Sequence, residues 1–519
     1  MIRATRNVVR LFHIARRLAE FDALFLLEKF GIAPAITATA RLIVKNSPDR
    51  SIARLRPGQR LALAIQGLGP SFIKFGQLLS TRSDLLGEEV ASDLSELQDK
   101  LPPFPGASAR RIIAQELGKP VEAIFSHFEE TPVAAASIAQ VHMAVTAEGE
   151  DVAVKILRPG IEEAFAQDLD LFYWLAEIAE WTGGGIMRRL KPVEVVRTMA
   201  DTVALEMDLR FEAAAASELS ENFAGDPTFR VPRIDWSRTS KRVLTLERVS
   251  GIPIDEREAI IAAGHDPRTI IAQAAAALFQ QAFRDGFFHA DLHPGNLFVD
   301  RSGHIVAIDF GIMGRLDLKT RNYLAEMLIG FLSADYRAAA EAHFKAGYVP
   351  ANKSVAAFTQ ACRSIAEPIL GRPLAEISLA RLLGQLFQVA ETFEMETQPQ
   401  LLLLQKTMLV AEGVGRSLDP TVNMWELARP LIEAWMVENR GPQAKLRHFA
   451  SDFVTALERL PTALAGAERM LTMLSEGGLR LHPESIRALT GAGARHNRSW
   501  LWALWIAVAL IALIAFTLF

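Results

Sequence analysis

The sequence predicts an α+β chain of two lobes, preceded by a helical extension and closed by a C-terminal transmembrane helix. Three observations predict it. Residues 137–157 switch to a two-residue alternation around the turn Ala147-Glu148-Gly149-Glu150, the pattern of a β-hairpin. Residues 289–311, HADLHPGNLFVDRSGHIVAIDFG, set two short strands within a loop that carries oxygen-bearing side chains at fixed offsets. The remainder is periodic and helical, and its last 20 residues carry no charge. The expected boundaries are a helical extension over 1–130, a strand-rich lobe with a helical insertion over 131–250, a mostly helical lobe over 251–490 and a membrane segment over 500–519.

Composition narrows the function classes. With 519 residues, 50% of them hydrophobic, the chain can bury one large core or two ordinary ones. A formal net charge of −4 gives no general basic surface, so nucleic acid is not an expected partner. The single cysteine, Cys362, excludes an intramolecular disulfide and a cysteine-based zinc site, and reads as a small buried apolar side chain.

Taken in order, Met1 to Glu20 holds Arg3, Arg6, Arg10, Arg16 and Arg17 against one acid and has no apolar signal-peptide region. It reads as a basic amphipathic helix suited to anionic lipid or to a solvated face. Turns follow at Asn46-Ser47-Pro48, at Arg56-Pro57-Gly58 and, as the clearest linker, at Leu101 to Gly106. Between them the helix containing Lys74-Phe75-Gly76-Gln77 places a lysine and a glycine where a packed apolar face is expected. An interior glycine costs about 1 kcal/mol relative to alanine, so a close approach by another element is expected there.

The hairpin runs from Ser137 to Val145 and from Asp151 to Leu157. Its second strand, Val152-Ala153-Val154-Lys155, has the form of the strand whose lysine pairs with nucleotide α- and β-phosphates. The preceding loop, Ala134-Ala135-Ala136-Ser137-Ile138-Ala139-Gln140-Val141, is the candidate phosphate cover, with alanine where a glycine-rich loop would have glycine. A Cβ there disfavours positive φ and holds the backbone further from a phosphate. A helix from Ile161 to Trp181, the run Gly183-Gly184-Gly185 and a second helix from about Val193 to Phe223 come next. One of that helix's acids should pair with Lys155: Glu212 first and Glu206 second, six residues apart and so on different faces. Strand Val243–Arg248 leads into a hinge in which Glu247 and Val249 are candidates to hold an adenine edge, and a helix from Ile270 to Arg284 follows.

The loop at 289–311 then carries the chemistry. Asp291 and Asn296 are five positions apart, and Asp309 of Asp309-Phe310-Gly311 follows thirteen later. This spacing matches the catalytic-loop and D-F-G pattern of protein kinases. A nucleoside triphosphate needs a carboxylate to orient the attacking oxygen and further oxygen ligands for the magnesium that bridges its phosphates. Asp291 fits the first role, and Asn296 and Asp309 the second. The strands Leu297–Val299 and His304–Ile308, turned at Asp300 to Gly303, would return Asp309 to Asn296. After Gly311 there is no A-P-E triplet, and beyond Gly311-Ile312-Met313-Gly314-Arg315-Leu316 the chain is expected to return at once to a helix, leaving no platform for a peptide. Residues 317–490 read as helical, with breaks near Pro350, Pro373, Pro399, Pro420 and Pro442. Trp500 to Phe519 is long enough for a bilayer, with indoles at one end and Arg495 and Arg498 before it. A single-pass protein of the cell inner membrane, its catalytic domain in the cytoplasm, is the localisation this predicts.

With K-x-G-Q at 74–77, the alanine loop, Lys155, Glu206-Met207-Asp208, the loop at 289–296 and Asp309-Phe310-Gly311 in this order, the chain resembles the UbiB family of atypical kinases over roughly residues 20–430. The resemblance implies a two-lobed protein kinase-like fold that uses ATP and Mg2+, with Lys74 and Gln77 facing the nucleotide pocket. It also implies a role in ubiquinone biosynthesis at a membrane, through ATP hydrolysis or phosphorylation of a non-protein substrate. Expected partners are a membrane lipid or isoprenoid quinone precursor and other ubiquinone biosynthesis proteins. Many relatives end in two membrane helices, whereas this sequence has one segment of spanning length. A soluble small-metabolite kinase and a non-catalytic nucleotide-binding scaffold are the alternative readings of the same loops.

Overall fold

The computed structural model describes residues 2–25, 52, 54–80, 86–95, 101–182, 192–368, 385, 388–390, 392–395, 398–422 and 424–440. Met1–Val437 forms a compact unit. Its helical extension contains α1 (Ile2–Glu20), α2 (Pro57–Gln66), α3 (Pro70–Ser80), α4 (Glu88–Ser95), α5 (Gly106–Leu117) and the single turn α6 (Val121–Ile124). The first lobe holds β1 (Phe125–Phe128), β2 (Ala134–Ala135), β3 (Ala139–Thr146), β4 (Asp151–Leu157) and β6 (Val243–Glu247) in one antiparallel sheet, with β2 paired to β3 at its edge. Inserted between β4 and β6 are α7 (Ile161–Thr182), α8 (Pro192–Glu206), α9 (Leu209–Asn222) and β5 (Phe229–Arg230).

Side chains alternate along a strand, and β4 shows what that does here. Val152, Val154 and Ile156 turn to a core with Phe104, Ile112, Ile113 and Phe125. Ala153 and Leu157 turn to the opposite core, which contains Leu61, Ile73, Phe165 and Leu171 of the extension and insertion. By the same alternation Lys155 belongs to this second face. The extension therefore covers the face of the sheet from which the expected phosphate-binding lysine projects.

Helix α1 takes part in that core. Leu11, Ile14, Ala15 and Leu18 are buried against it, while Arg10 donates to both carboxylate oxygens of Asp168 (3.0 and 3.3 Å) and Arg6 to Asp170 (2.7 Å), both on α7. The apolar face read as suited to lipid is covered by protein, and part of the basic face meets acids.

The second lobe comprises β7 (Ile252–Pro253), α10 (Arg257–Ala262), α11 (Pro267–Phe279), a π-helical turn (Gln280–Asp285), β8 (Phe287–His289), β9 (Leu297–Val299), β10 (Ile305–Ala307) and β11 (Met313–Arg315). These are followed by α12 (Leu318–Leu332), α13 (Tyr336–Ala346), α14 (Val355–Ala366), α15 (Pro399–Leu418) and α16 (Met424–Arg440). Strands β5-β10-β9-β7 form one sheet, with β10 parallel to β5, and β8 pairs with β11. Pro399 opens α15 in its first turn, and Pro420 lies just beyond its end, as the missing N–H of proline favours.

Several expectations are corrected. The helix expected over 193–223 is two helices, because Asp208 is extended (φ −129°) and caps α9 by accepting from the Arg210 amide at 3.1 Å. The expected return to a helix after Leu316 is observed at α12, and residues 313–315 just before it form β11, held antiparallel to β8. Phe288 leaves no room for a Cβ at Gly314, so glycine allows that close pairing. The fold with a C-terminal transmembrane helix, and the single-pass inner-membrane localisation built on it, are corrected as well. Among the described residues no helix is long and apolar enough to cross a membrane. The long helices carry charges that serve the protein's own packing, such as Asp168 and Asp170 on α7 and Lys406, Glu412 and Arg416 on α15. The expected membrane segment Trp500 to Phe519 lies outside the described residues, as do Asn46-Ser47-Pro48, Gly183-Gly184-Gly185 and the breaks at Pro373 and Pro442.

Leu11, 1% exposed, tests the placement of α1. Leu11→Ala should lower the unfolding free energy by about 2–5 kcal/mol in denaturant titration. Unchanged stability would show that this face is not buried against protein.

Candidate active site

Three parts of the chain meet at Lys155: β4, α9 and the Asp309-Phe310-Gly311 turn. The lysine's position on β4 is fixed by pairing with Val141 of β3 and Leu244 of β6. Lys155 Nζ donates to Glu212 Oε1 at 2.7 Å and to Asp309 Oδ2 at 3.2 Å. Glu212 lies in the first turn of α9 and is 7% exposed at its side chain, so its charge requires a partner. Burial alone would lower the Lys155 pKa, but the Asp309 and Glu212 carboxylates outweigh it and raise it. Burial likewise raises Glu212, with Lys155 opposing. Asp309 goes the other way: against burial, Lys155, the Gly311 amide and His289 together hold its carboxyl down at about 2.

The break at Asp208 separates two acids that a single helix would have kept on one rigid body. Glu206 ends α8 and pairs with Lys74 of α3 at 3.0 Å, with both side chains largely buried. Glu212 opens α9 and pairs with Lys155. The two candidates for one lysine each take a different lysine. Phe75, beside Lys74, stacks on Phe172 of α7 at 4.7 Å and fixes that turn of α3, while Gln77 follows two residues later on the same helix.

The catalytic-loop residues converge from β8 and the 3-10 turn Pro294–Asn296. His289 is buried; its backbone amide donates to Gln281 Oε1 at 2.9 Å, and its Nδ1 accepts from the Asp291 amide at 3.1 Å. Burial lowers the His289 pKa, so the ring is a neutral acceptor at Nδ1 with its proton on Nε2. Asn296 Nδ2 donates to the Asp291 carbonyl at 3.0 Å and lies 3.4 Å from Asp291 Oδ2, which directs the amide's donor end to Asp291. Lys406 Nζ of α15 approaches the other oxygen, Asp291 Oδ1, at 3.2 Å. In sequence, Lys406 belongs to the stretch Pro399 to Asn423, which by itself reads only as a helix hairpin in a core and gives the lysine no role at the site.

The alanine loop is closed by a hydrogen bond from the Ala136 amide to the Ala139 carbonyl at 2.8 Å, and none of its residues has positive φ. Alanine is therefore unstrained there. Arg158 holds the turn by donating to the Ala136 carbonyl from Nε and Nη2 at 3.0 and 2.8 Å. Ala134 and Ala135 pair with Val141 and Gln140. Ile138 and Ala139 join the core on the Lys155 side of the sheet, with Val141 packed against it. Ser137 is buried and its hydroxyl has no hydrogen-bond partner among the described residues. Gln140 is not brought to the site: it faces the other way and bonds both backbone groups of Phe104 at 3.0 and 3.2 Å. Glu247 is engaged as well, its carboxylate accepting from Arg230 and its amide donating to the Arg233 carbonyl, while Val249 lies in the connection from β6 to β7.

Asn296 and Asp309 fit a magnesium ion by donor chemistry, since a carboxylate that stays ionised and an amide oxygen are hard oxygen ligands. Asn296 uses its Nδ2 within the protein, which leaves the amide oxygen as its ligating end. These donors, beside a lysine held between two carboxylates, are the parts for phosphoryl transfer.

Comparison with known proteins agrees. Residues 96–343 match the family model of the ABC1 atypical kinase-like domain, and residues 362–423 match that of the UbiB helical domain. The chain is 46% identical over 414 residues to the probable protein kinase UbiB of Marinobacter nauticus, covering 79% of this chain and 75% of that one. It is 42% identical over 486 residues to the probable protein kinase UbiB of Pseudomonas aeruginosa, covering 92% and 89%. A solved structure of Mycobacterium tuberculosis Rv3197 in complex with erythromycin superposes with a TM-score of 0.52 at 25% identity, over 76% of this chain and 97% of that one. The family's kinase-like fold implies the use of a nucleotide and a metal ion. The chain belongs to the UbiB family of atypical kinases, enzymes of ubiquinone biosynthesis.

Proposed function

We propose that the protein binds ATP with Mg2+ between its lobes and transfers the γ-phosphoryl group to water or to a non-protein acceptor related to an isoprenoid quinone precursor. The observation that carries this is the bridge from Lys155 to Glu212 and Asp309, with Asp291 and Asn296 alongside. Lys155 would meet the α- and β-phosphates, and Asn296 and Asp309 would hold the metal, which neutralises charge on the β- and γ-phosphates. Asp291 would accept the acceptor's proton as its oxygen bonds to Pγ. The bond from Pγ to the β,γ-bridging oxygen breaks, and the electron pair leaves on ADP. Lys74 and Gln77 would cover the pocket from α3, and the loop 134–141 would close over the phosphates. Val249 would offer its backbone to the adenine, and Glu247 its carbonyl, since the Glu247 amide is held by Arg233.

A small or lipid acceptor is favoured over a peptide by the chain after Asp309-Phe310-Gly311. Six residues separate Gly311 from α12, and three of them are paired in β11. That is too short for a substrate-binding activation loop. A quinone precursor with an isoprenoid tail, presented at a membrane or by another biosynthetic protein, is the acceptor class that agrees with the family.

Asp291→Asn should lower ATP turnover by about 100- to 10,000-fold with the fold retained, and should fail to restore quinone content in a deletion strain. Restored quinones would instead favour a non-catalytic scaffold, and phosphorylation of a polar metabolite in a substrate screen a small-metabolite kinase.

The depressed Asp309 pKa gives a second expectation. Between its ordinary value of 3.8 and about 2, the unfolded chain binds this proton and the folded chain does not. Its contribution is therefore fully present above 3.8 and lost as pH falls through about 2. In urea titrations, Asp309→Asn should lose less stability than the wild type across that window; identical slopes would contradict the assignment.

A further inference from the structure

We propose that Lys406 is a positioning residue for phosphoryl transfer, supplied to the catalytic loop by the helical region that follows the kinase-like domain. The proposal rests on Asp291 being the proton-accepting carboxylate.

The loop from Asp291 to Asn296 contains no lysine or arginine. The cation at its carboxylate arrives instead from α15, 115 residues downstream, with Nζ 3.2 Å from Asp291 Oδ1. Asn296 Nδ2 takes the other oxygen, so each carboxylate oxygen faces a different donor. The plane of the Asp291 carboxylate, and thus the oxygen offered to an incoming hydroxyl or water, is set by these two contacts.

The placement of Lys406 follows from how α15 is anchored. Two residues before it, Leu404 packs in the core with Phe288 and Ala290, which directly precede Asp291. Later on the helix, Val414 and Leu418 pack with Leu292 and Leu297, which follow it. The helix is thus fastened on both sides of the catalytic loop.

The pair contributes little to stability. Its side chains are 45% and 35% exposed, and an ion pair so open to water is largely screened. What it fixes is the geometry of the Asp291 carboxylate, and a shift of about 1 Å in a reacting group costs about 100-fold in rate.

The test is a cycle on the full-length protein with Mg2+-ATP, using Lys406→Met and Lys406→Arg alone and Lys406→Met combined with Asp291→Asn. Lys406→Met should lower kcat about 10- to 100-fold while KM for ATP and its equilibrium affinity stay within about twofold, and Lys406→Arg should recover most of the loss. In the Asp291→Asn background, Lys406→Met should have no further effect. Full activity of Lys406→Met beside an inactive Asp291→Asn would overturn this proposal alone, as would a loss confined to KM or an equal loss in both backgrounds. Full activity of Asp291→Asn would overturn the reading of Asp291 and this proposal together.

Discussion

A lysine ammonium removed from water must be neutralised, and here that requirement joins the two lobes. Lys155 is 13% exposed and placed by strand register, so its carboxylate partners must come to it. One comes from the first turn of α9 and the other from the Asp309-Phe310-Gly311 turn of the second lobe. Losing either carboxylate would leave a buried group with reduced compensation, which is more costly than never having built the pair. The ion triad thus fixes the sheet, α9 and the Asp309-Phe310-Gly311 turn in one arrangement.

The same device recurs around it. Lys74 from the extension holds Glu206, and Lys406 from the helical region holds Asp291. Three lysines from three regions each meet a carboxylate. The first two pairs are largely buried, whereas the Lys406 pair is open to solvent. The first two therefore fix the architecture, and the third, screened by water, contributes little to it. The extension cannot be regarded as an appendage, because its hydrophobic residues share one core with the Lys155 face of the sheet.

Much of this was legible in the sequence where chemistry demands residue types at fixed spacing. The hairpin, Lys155 and the return of the strands toward Asp309 follow from local alternation or from a short motif, whereas sequence left Glu212 and Glu206 both open as the partner of Lys155. What was not legible depends on long-range packing. The periodicity of 193–223 continues through Met207 and Asp208, and only the cap on Arg210 reveals that it breaks there. Gln140 lies in the loop segment but bonds Phe104 on the far face, a contact set by the preceding linker. The three residues of β11 carry no strand pattern, since the strand is made by its pairing with β8. Lys406 sits in a leucine-rich helix, and nothing local ties it to Asp291.

The most direct test of the account is Mg2+-ATP turnover by Glu212→Gln, which keeps the shape of the side chain and removes its charge. If the ion triad holds the site, turnover should fall at least tenfold while the protein stays folded, because Lys155 is then held by Asp309 alone. Turnover equal to that of the wild type would contradict the claim that this interaction organises the site.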